Sequence, residues 1–171
     1  MEIYVIRHSI ANSLGAEGTT RDEDRALTKD GIERIEAVAK GLKAMGIAPE
    51  YILTSPYLRA LQTAQALQKG LGLTKNFLVQ TPNLAITGNP EQVMEEVNLH
   101  YPAVKQIFLV GHEPGLTELI GLLVSGNPNL GLKVGRASVT CLHIHQPLES
   151  EAAELAWKMT AKQVSAFGER S

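Results

Sequence analysis

Four side chains suited to phosphate chemistry stand at or just past the ends of short apolar segments. They are Arg7, His8, Arg59 and His112. Arginine binds a tetrahedral phosphate through paired N–H donors, and a neutral histidine can attack phosphorus. One histidine of such a set would be the nucleophile, and the other would donate a hydrogen bond to the phosphoryl oxygens. These residue types therefore predict a phosphate site with a built-in nucleophile.

Each of these residues alone has a simpler explanation. A histidine after a strand is usually a loop residue, Arg59 could be a solvated helix residue, and His112 could cap the helix that follows it. The set of four is harder to explain in this way, provided that the fold brings its members together.

The hydrophobic pattern alternates between short apolar segments and longer amphipathic ones. Strands are predicted at 3–6, 51–55, 77–81, 106–110, 137–145 and 154–160. Helices are predicted at 27–46, 55–72, 89–101 and 114–125. Thr28 is the expected N-cap of the first helix and Ser55 that of the second. The alternation predicts a three-layer α/β/α fold with a largely parallel central sheet of about six strands.

In parallel sheets of this kind, ligands bind outside the carboxyl ends of the strands. The first predicted strand leads into Arg7 and His8, and the fourth leads through a glycine into His112. Arg59 lies in the first turn of the helix after the second strand. We therefore expect the four residues to meet at one edge of the sheet.

The composition is that of an ordinary globular protein. The 171 residues are 44% hydrophobic and 20% charged, and the net charge of −2 makes general nucleic-acid binding unexpected. No segment is apolar over the ~18–20 residues of a membrane span, and the N-terminus does not resemble a signal peptide. The single cysteine, Cys141, excludes an internal disulfide. These features predict a cytoplasmic protein without membrane association, and they leave its oligomeric state open.

Three segments carry a resemblance to a known family. They are IRHS at 6–9, TSPYLRALQTA at 54–64 and LVGHEPGL at 109–116. In order and spacing they resemble the R-H-G, S-P-x-x-R-A-x-x-T-A and G-H motifs of the histidine phosphatase superfamily, also called phosphoglycerate mutase-like. The segment DRALTKDG at 24–31 is similar to the R-P-L-T-x-x-G segment of its SixA-type phosphohistidine phosphatase branch.

The resemblance has implications for the domain, the activity and the site. It implies one histidine phosphatase-like domain over 1–171, without a cap insertion. It implies a metal-independent phosphatase that uses no cofactor. In the site, it implies that His8 becomes phosphorylated and that Arg7, Arg59 and His112 complete the phosphate pocket.

Two positions depart from the family pattern. Ser9 replaces the glycine that usually follows the nucleophile, and its amide or hydroxyl is a candidate substrate contact. Ala26 replaces the proline of R-P-L-T. Arg25 and Arg21 are secondary candidates for substrate binding, although both also fit a solvated, charged loop.

A general acid is not obvious in the sequence. Many superfamily phosphomonoesterases have a glutamate soon after the third strand, where this chain has Asn83 and Leu84. Glu91 is the next carboxylate and the candidate acid, but glutamate is also favoured in the first turn of a helix by the helix dipole. A phosphohistidine leaves as neutral imidazole, whose conjugate acid has a pKa of about 6.5, so it needs little help from an acid.

These observations favour a phosphatase that removes the phosphoryl group from a phosphohistidine on a protein, such as a histidine phosphotransfer domain. The segments 9–25 and 82–105 offer little material for a lid over a small metabolite. A phosphatase of small phosphate esters or sugar phosphates is the alternative. A non-catalytic module that binds phosphoproteins is less favoured, because a binder does not need a nucleophilic His8.

Two other features of the sequence are not assigned to the site. His143 and His145 lie two residues apart on a predicted strand and share a face, but no third metal ligand is apparent, so no metal site is predicted. Cys141 lies inside an apolar strand and is expected in the core.

Overall fold

Six strands form one sheet in the computed structural model, which describes residues 1–73 and 77–169. The strands are β1 (Glu2–Arg7), β2 (Tyr51–Thr54), β3 (Phe77–Gln80), β4 (Gln106–Gly111), β5 (Val139–Ile144) and β6 (Ala153–Met159). The α-helices of these ranges are α1 (Lys29–Ala44), α2 (Leu58–Leu71), α3 (Pro90–Asn98), α4 (Gly115–Ser125) and α5 (Ala161–Gly168). Short 3₁₀ helices occupy Ala16–Gly18, Asp22–Asp24 and Pro82–Leu84.

The strand order is β3-β2-β4-β1-β5-β6. The first four strands in this order pair in parallel, whereas β5 is antiparallel to β1 and β6 is antiparallel to β5. The predicted α/β fold with a largely parallel sheet is confirmed, and two antiparallel strands extend it on one side. Because β2, β4 and β1 are parallel neighbours, their carboxyl ends lie at one edge of the sheet.

Helices cover both faces of the sheet. On one face, Tyr4 and Ile6 pack with buried side chains of α1, α2 and α5. On the other face, Ile3 and Val5 pack with buried side chains of α3 and α4. Successive residues of a strand point to opposite faces, so a strand that is covered on both sides is apolar throughout. This explains why the first strand reads as an unbroken apolar segment.

The predicted N-cap residue is correct for α1 and wrong for α2. Thr28 caps α1 as predicted, because its side chain accepts a hydrogen bond from the Gly31 amide at 3.0 Å. The prediction that Ser55 caps α2 is wrong, since Tyr57 is the N-cap residue and makes no side-chain cap bond. Ser55 Oγ accepts a hydrogen bond from the Tyr57 amide at 3.2 Å and lies at the end of β2.

Helix α5 was not among the predicted elements, which ended with a strand at 154–160. Thr160 and Gln163 form a capping box at its start, with each side chain bonded to the backbone of the other residue. The helix packs closely on α1, where a Cβ on Gly41 would lie 2.0 Å from the Val164 carbonyl oxygen. Only glycine at this position allows the two helices to approach so closely. Among the described residues, every helix is too short or too polar to serve as a membrane span.

Candidate active site

The four residues predicted to bind and attack phosphate lie together at the carboxyl ends of the parallel strands. The backbone remains in register just past these ends, since the His8 amide donates to the Gly111 carbonyl at 3.1 Å. The Ser55 amide donates to the Val110 carbonyl at 2.9 Å in the same way. A cleft of about 190 Å³ opens there, which we name the strand-end cleft. It is lined by Arg7, His8, Ala11, Asp22, Arg25, Arg59, Ile86, His112, Glu113 and Arg136.

His8 is held in one tautomer. Its Nδ1 lies 2.7 Å from the Ser9 carbonyl oxygen, and a carbonyl can only accept a hydrogen bond, so Nδ1 carries the proton. The lone pair therefore lies on Nε2. Burial, together with the nearby Arg59 and Arg7 charges, lowers the pKa of His8 to about 4, although the hydrogen bond to Ser9 opposes this shift. The imidazole is thus neutral and unprotonated at Nε2 near neutral pH.

Arg59 connects His8 to the loop before α1. Its Nε lies 3.3 Å from His8 Nε2, and its two terminal nitrogens donate to the Asp22 carbonyl at 2.7 Å and to Asp22 Oδ2 at 2.8 Å. A guanidinium has five N–H groups, so two remain for a ligand. Arg59 is only 2% exposed, and its orientation is therefore fixed by these contacts.

Asp22 was not predicted as a site residue, yet it bridges two arginines of the cleft. Its Oδ1 accepts from Arg25 at 2.7 Å, while Oδ2 accepts from Arg59. Burial would raise the pKa of Asp22, but the hydrogen bonds and charges of the two arginines outweigh it and hold the pKa below its usual range. Arg25 also donates to the Asn12 carbonyl at 2.6 Å, and it lines the cleft as expected for a secondary substrate contact.

Arg7 and His112 each keep a buried nitrogen without a partner among the described residues. For Arg7 it is Nε, while a terminal nitrogen donates to the Val134 carbonyl at 2.8 Å. For His112 it is Nδ1, while Nε2 lies 2.8 Å from Ser55 Oγ. A buried polar atom without a partner is costly, and such atoms in a cleft are often satisfied by a ligand.

His112 lies against His8, with 4.9 Å between the ring centroids. Burial, together with the neighbouring His8 and Arg59, lowers the pKa of His112 to about 3. His112 is therefore neutral. If Ser55 donates its hydroxyl proton to Nε2, the ring proton lies on the unpartnered Nδ1, where it can be donated to a ligand.

Ser9 does not line the strand-end cleft, contrary to its candidacy as a substrate contact. Its hydroxyl donates to the Gly31 carbonyl at 2.7 Å, and its amide donates to Thr63 Oγ1 at 3.1 Å. Both groups are fully buried and occupied inside the protein. Gly31 permits this packing, since a Cβ there would lie 2.1 Å from the Ile10 carbonyl oxygen. The serine at this position thus adds a hydrogen bond from the loop after His8 to α1.

Arg21 and Glu91 lie outside the strand-end cleft. Arg21 is exposed and forms ion pairs with Glu23 and Asp24 on its own loop. Glu91 is exposed in the first turn of α3, which agrees with the helix-dipole explanation for this glutamate.

Asn83, which stands where many relatives have an acid, is also held by a structural contact. Its side-chain amide donates to Glu96 of α3 at 2.5 Å, and Thr81 donates to the same carboxylate oxygen at 2.7 Å. The residue therefore ties the end of β3 to α3. It carries no ionisable proton.

Glu113 and Arg136 line the cleft but were not predicted. Burial raises the pKa of Glu113, against the opposing hydrogen bond from Thr117 and the charge of Arg7. Arg136 is exposed and adds positive charge near Arg7 and His8. Glu113 could have been noticed in the sequence, because it directly follows His112 at a strand end. Arg136 precedes β5, and no sequence pattern connects it to the parallel strands.

His143 on β5 and His145 just after it each lie beside one glutamate. His143 lies 3.5 Å from Glu2 and His145 lies 3.7 Å from Glu154, both as partly exposed pairs. Within the described ranges, no three His, Cys, Asp or Glu side chains are grouped as metal ligands would be. Cys141 is buried in the core, as predicted.

Comparisons with known proteins agree with this geometry. Residues 3–84 match the family model of the histidine phosphatase superfamily (branch 1). An uncharacterised protein of Picosynechococcus sp. is 33% identical over 141 residues, which cover 81% of this chain and 82% of the relative. The phosphohistidine phosphatase SixA of Escherichia coli strain K12 is 29% identical over 142 residues, which cover 82% of this chain and 85% of SixA.

Solved structures agree as well. A structure of the protein histidine phosphatase SixA complexed with tungstate superposes with a TM-score of 0.82 at 24% identity, and the match covers 96% of this chain and 99% of that one. At this identity, the structural likeness is evidence for the fold. The sequence matches and the fold agree with each other, and the chain therefore belongs to the histidine phosphatase superfamily. The similarity to SixA supports the SixA-type branch within it.

Proposed function

We propose that this protein is a phosphohistidine phosphatase that acts on a phosphorylated histidine of another protein. The observation that carries the proposal is His8, whose proton is held on Nδ1 by the Ser9 carbonyl. This leaves Nε2 unprotonated, as a phosphorus-attacking nucleophile requires, and its lone pair is engaged only by a 3.3 Å hydrogen bond from Arg59 Nε, which attack on phosphorus would replace.

The cleft offers donors for the three oxygens of a phosphoryl group. Within the part of the chain that the structure describes, Arg59 has two uncommitted N–H groups, Arg7 has an unpartnered Nε, and His112 has an unpartnered Nδ1. Positive charge that is positioned before the substrate arrives is the main source of catalysis in phosphoryl transfer. Arginines supply this charge, so the proposed steps require no metal ion or cofactor.

The reaction has two steps. In the first, the His8 Nε2 lone pair attacks phosphorus while the P–N bond of the substrate breaks, and its electron pair stays on the departing nitrogen. In the second, a water oxygen attacks phosphorus while the P–Nε2 bond breaks, and the lone pair returns to His8. Inorganic phosphate is released, and the proton lost by the water must be accepted by a base.

The leaving group supports a phosphohistidine substrate. An alkoxide needs a proton as it departs, whereas a protonated phosphohistidine leaves as neutral imidazole. Asn83, at the usual position of the acid, is bonded to Glu96 and has no proton to give. The similarity to SixA, a phosphohistidine phosphatase by name, supports the same substrate class.

The test compares a phosphohistidine-bearing protein with a panel of small phosphate esters and sugar phosphates, using wild type, His8→Ala and His143→Ala. We expect wild type and the surface variant to hydrolyse the protein substrate far better than any ester, and His8→Ala to hydrolyse none. The trapped phosphoenzyme should be acid-labile and alkali-stable, as a phosphoramidate is.

Other results would point to other functions. Equal or faster turnover of an ester or sugar phosphate would favour a phosphatase of small metabolites. Binding of the phosphoprotein by wild type and His8→Ala, without turnover by either, would indicate a non-catalytic binding module. An acid-stable phosphoenzyme would contradict His8 as the nucleophile.

A further inference from the structure

The strand-end cleft contains two carboxylates in opposite environments, Asp22 and Glu113. Both oxygens of Asp22 accept hydrogen bonds from arginines, which hold its charge. A carboxylate bound in this way orients its partners and is a poor proton acceptor. Acid–base roles in active sites are often divided between two groups whose surroundings separate their pKa values.

The two carboxylate oxygens of Glu113 differ in their hydrogen bonding. Its Oε2 accepts a hydrogen bond from Thr117 at 2.6 Å, which fixes the side chain from the first turn of α4. Its Oε1 is buried and has no partner among the described residues. Glu113 directly follows His112 in the chain, and both residues line the cleft that also contains His8. Oε1 is therefore the carboxylate oxygen of the cleft whose hydrogen bonds are not already used among the described residues, and a water would reach it once the Glu113 side chain turns toward the cleft.

We propose that Glu113 is the general base for the second step, in which water hydrolyses phosphorylated His8. This assignment rests on the proposed function, since it requires a phosphohistidine intermediate. As the water oxygen forms its bond to phosphorus, one water proton moves to Glu113 Oε1 and the P–Nε2 bond breaks. The carboxyl group then returns the proton to solvent after phosphate leaves. Glu113 is thus a catalytic residue for hydrolysis, and the first step does not need it.

The surroundings of Glu113 make it a stronger base than an ordinary carboxylate. Burial raises its pKa, and the Glu118 charge on α4 acts in the same direction. The hydrogen bond from Thr117, Arg7 of β1 and Lys158 of β6 oppose the increase. The net effect is a carboxylate more basic than a solvated one, which makes it a better acceptor for the water proton.

The experiment follows the phosphoenzyme directly. Wild type and Glu113→Gln are labelled with ³²P-phosphoramidate, a small donor, chased with unlabelled donor and quenched in alkaline detergent. We expect Glu113→Gln to be labelled at the wild-type rate and to lose its label roughly 10²–10⁴-fold more slowly, which is the usual range for general base catalysis. Glu95→Gln, an exposed glutamate of α3, is the matched control and should behave as wild type.

Thr117→Val provides a second readout that a structural role would not move. Losing the hydrogen bond to Oε2 removes a contact that favours the charged form, so the pKa of Glu113 should rise. The rate of label loss should fall as the pH is lowered and Glu113 becomes protonated. In Thr117→Val this acidic limb should therefore lie at higher pH than in wild type. An unchanged limb would contradict the base role, even if Glu113→Gln proved too unstable to assay.

The outcomes separate the two proposals. If wild type takes up no label, the His8 mechanism fails and the role of Glu113 fails with it. If label forms but Glu113→Gln loses it as fast as wild type, only the base role is overturned. The same holds if the substitution slows formation of the label as much as its loss. Slow label loss in Glu91→Gln in place of Glu113→Gln would assign the base to α3.

Discussion

His8 and His112 follow the parallel strands β1 and β4, whereas His143 and His145 lie on and just after the antiparallel strand β5. The first pair is at least nine-tenths buried and converges on one cleft. The side chains of the second pair are 44% and 71% exposed and contact single glutamates at the surface. The same residue type, present twice in each half of the sheet, thus has two different environments.

The difference comes from how each half of the sheet ends. Parallel neighbours leave the sheet at a common edge, and the helices that follow them close over the residues just past that edge. Burial there lowers the pKa values of both imidazoles and keeps them neutral. His143 on β5 and His145 just after it instead point to a face of the sheet, where each is partly exposed and contacts a glutamate. Position relative to a parallel strand end, more than residue type, separates the two pairs.

Loss of His112 should have the largest effect among the changes that test this difference. In His112→Ala the phosphoryl oxygens lose a preorganised donor, and such donors typically contribute roughly 10²–10³-fold to the rate. Rapid-quench measurement of phosphoenzyme formation would show the decrease. A reduction equal to that of His143→Ala would mean that the two halves of the sheet are not distinguished by function.

The ionisation of His8 should differ strongly from that of a solvated histidine. Because its pKa is lowered to about 4, the ring stays neutral from pH 7 down to about pH 5 and gains its proton only below that. A histidine of pKa 6.5 would be neutral in only about 3% of molecules at pH 5. NMR titration of the imidazole carbons would show this, and a midpoint between pH 6 and 7 would refute the claim that the cleft keeps His8 neutral.

Asp22→Asn should have a moderate effect. The amide keeps one acceptor oxygen but loses the charge that holds Arg25 and Arg59, and charge-assisted hydrogen bonds contribute about 1.5–3 kcal/mol. We expect kcat/KM to fall by about tenfold, mainly because the arginines are less well ordered. Asp24→Asn, on the same 3₁₀ helix and paired with Arg21, is the control. Equal effects of both variants would indicate a general loss of loop charge.

Replacement of His143 and His145 should have the smallest effect. In His143→Asn combined with His145→Asn, two exposed histidine–glutamate contacts are lost, and even charged surface pairs contribute only about 0–1 kcal/mol to stability. Turnover should remain within about twofold of wild type, as for most surface substitutions. Steady-state kinetics and urea unfolding would check both values, and a large loss of activity would reveal a role for β5 that its contacts do not suggest.

The sequence predicted the fold and the meeting of Arg7, His8, Arg59 and His112 because both depend on local patterns. An apolar run of strand length marks where a strand ends, and the parallel topology brings those ends together. Helix α5 was missed even though Thr160 and Gln163 marked its start. The sequence therefore contained the local signal for this helix, and the prediction overlooked it.

Other features depended on contacts between distant segments. Asp22 reaches Arg59 from 37 residues away, and Arg7 reaches the Val134 carbonyl from 127 residues away. Ser9 was expected to contact substrate because it adjoins His8, but its side chain is bonded to α1. Which way a loop side chain turns depends on what packs against it, and a local pattern does not contain that information.

By itself, the sequence determined which residue types leave the sheet at its parallel edge, because strand length, polarity and order are written along the chain. Only the tertiary structure decided what those residues contact. Ser9 turns inward, Arg59 is bonded to Asp22, and Glu113 lines the cleft with one oxygen unpartnered among the described residues. The physical reason is that burial and hydrogen-bond partners, which set charge and proton affinity, arise from segments that meet only after folding.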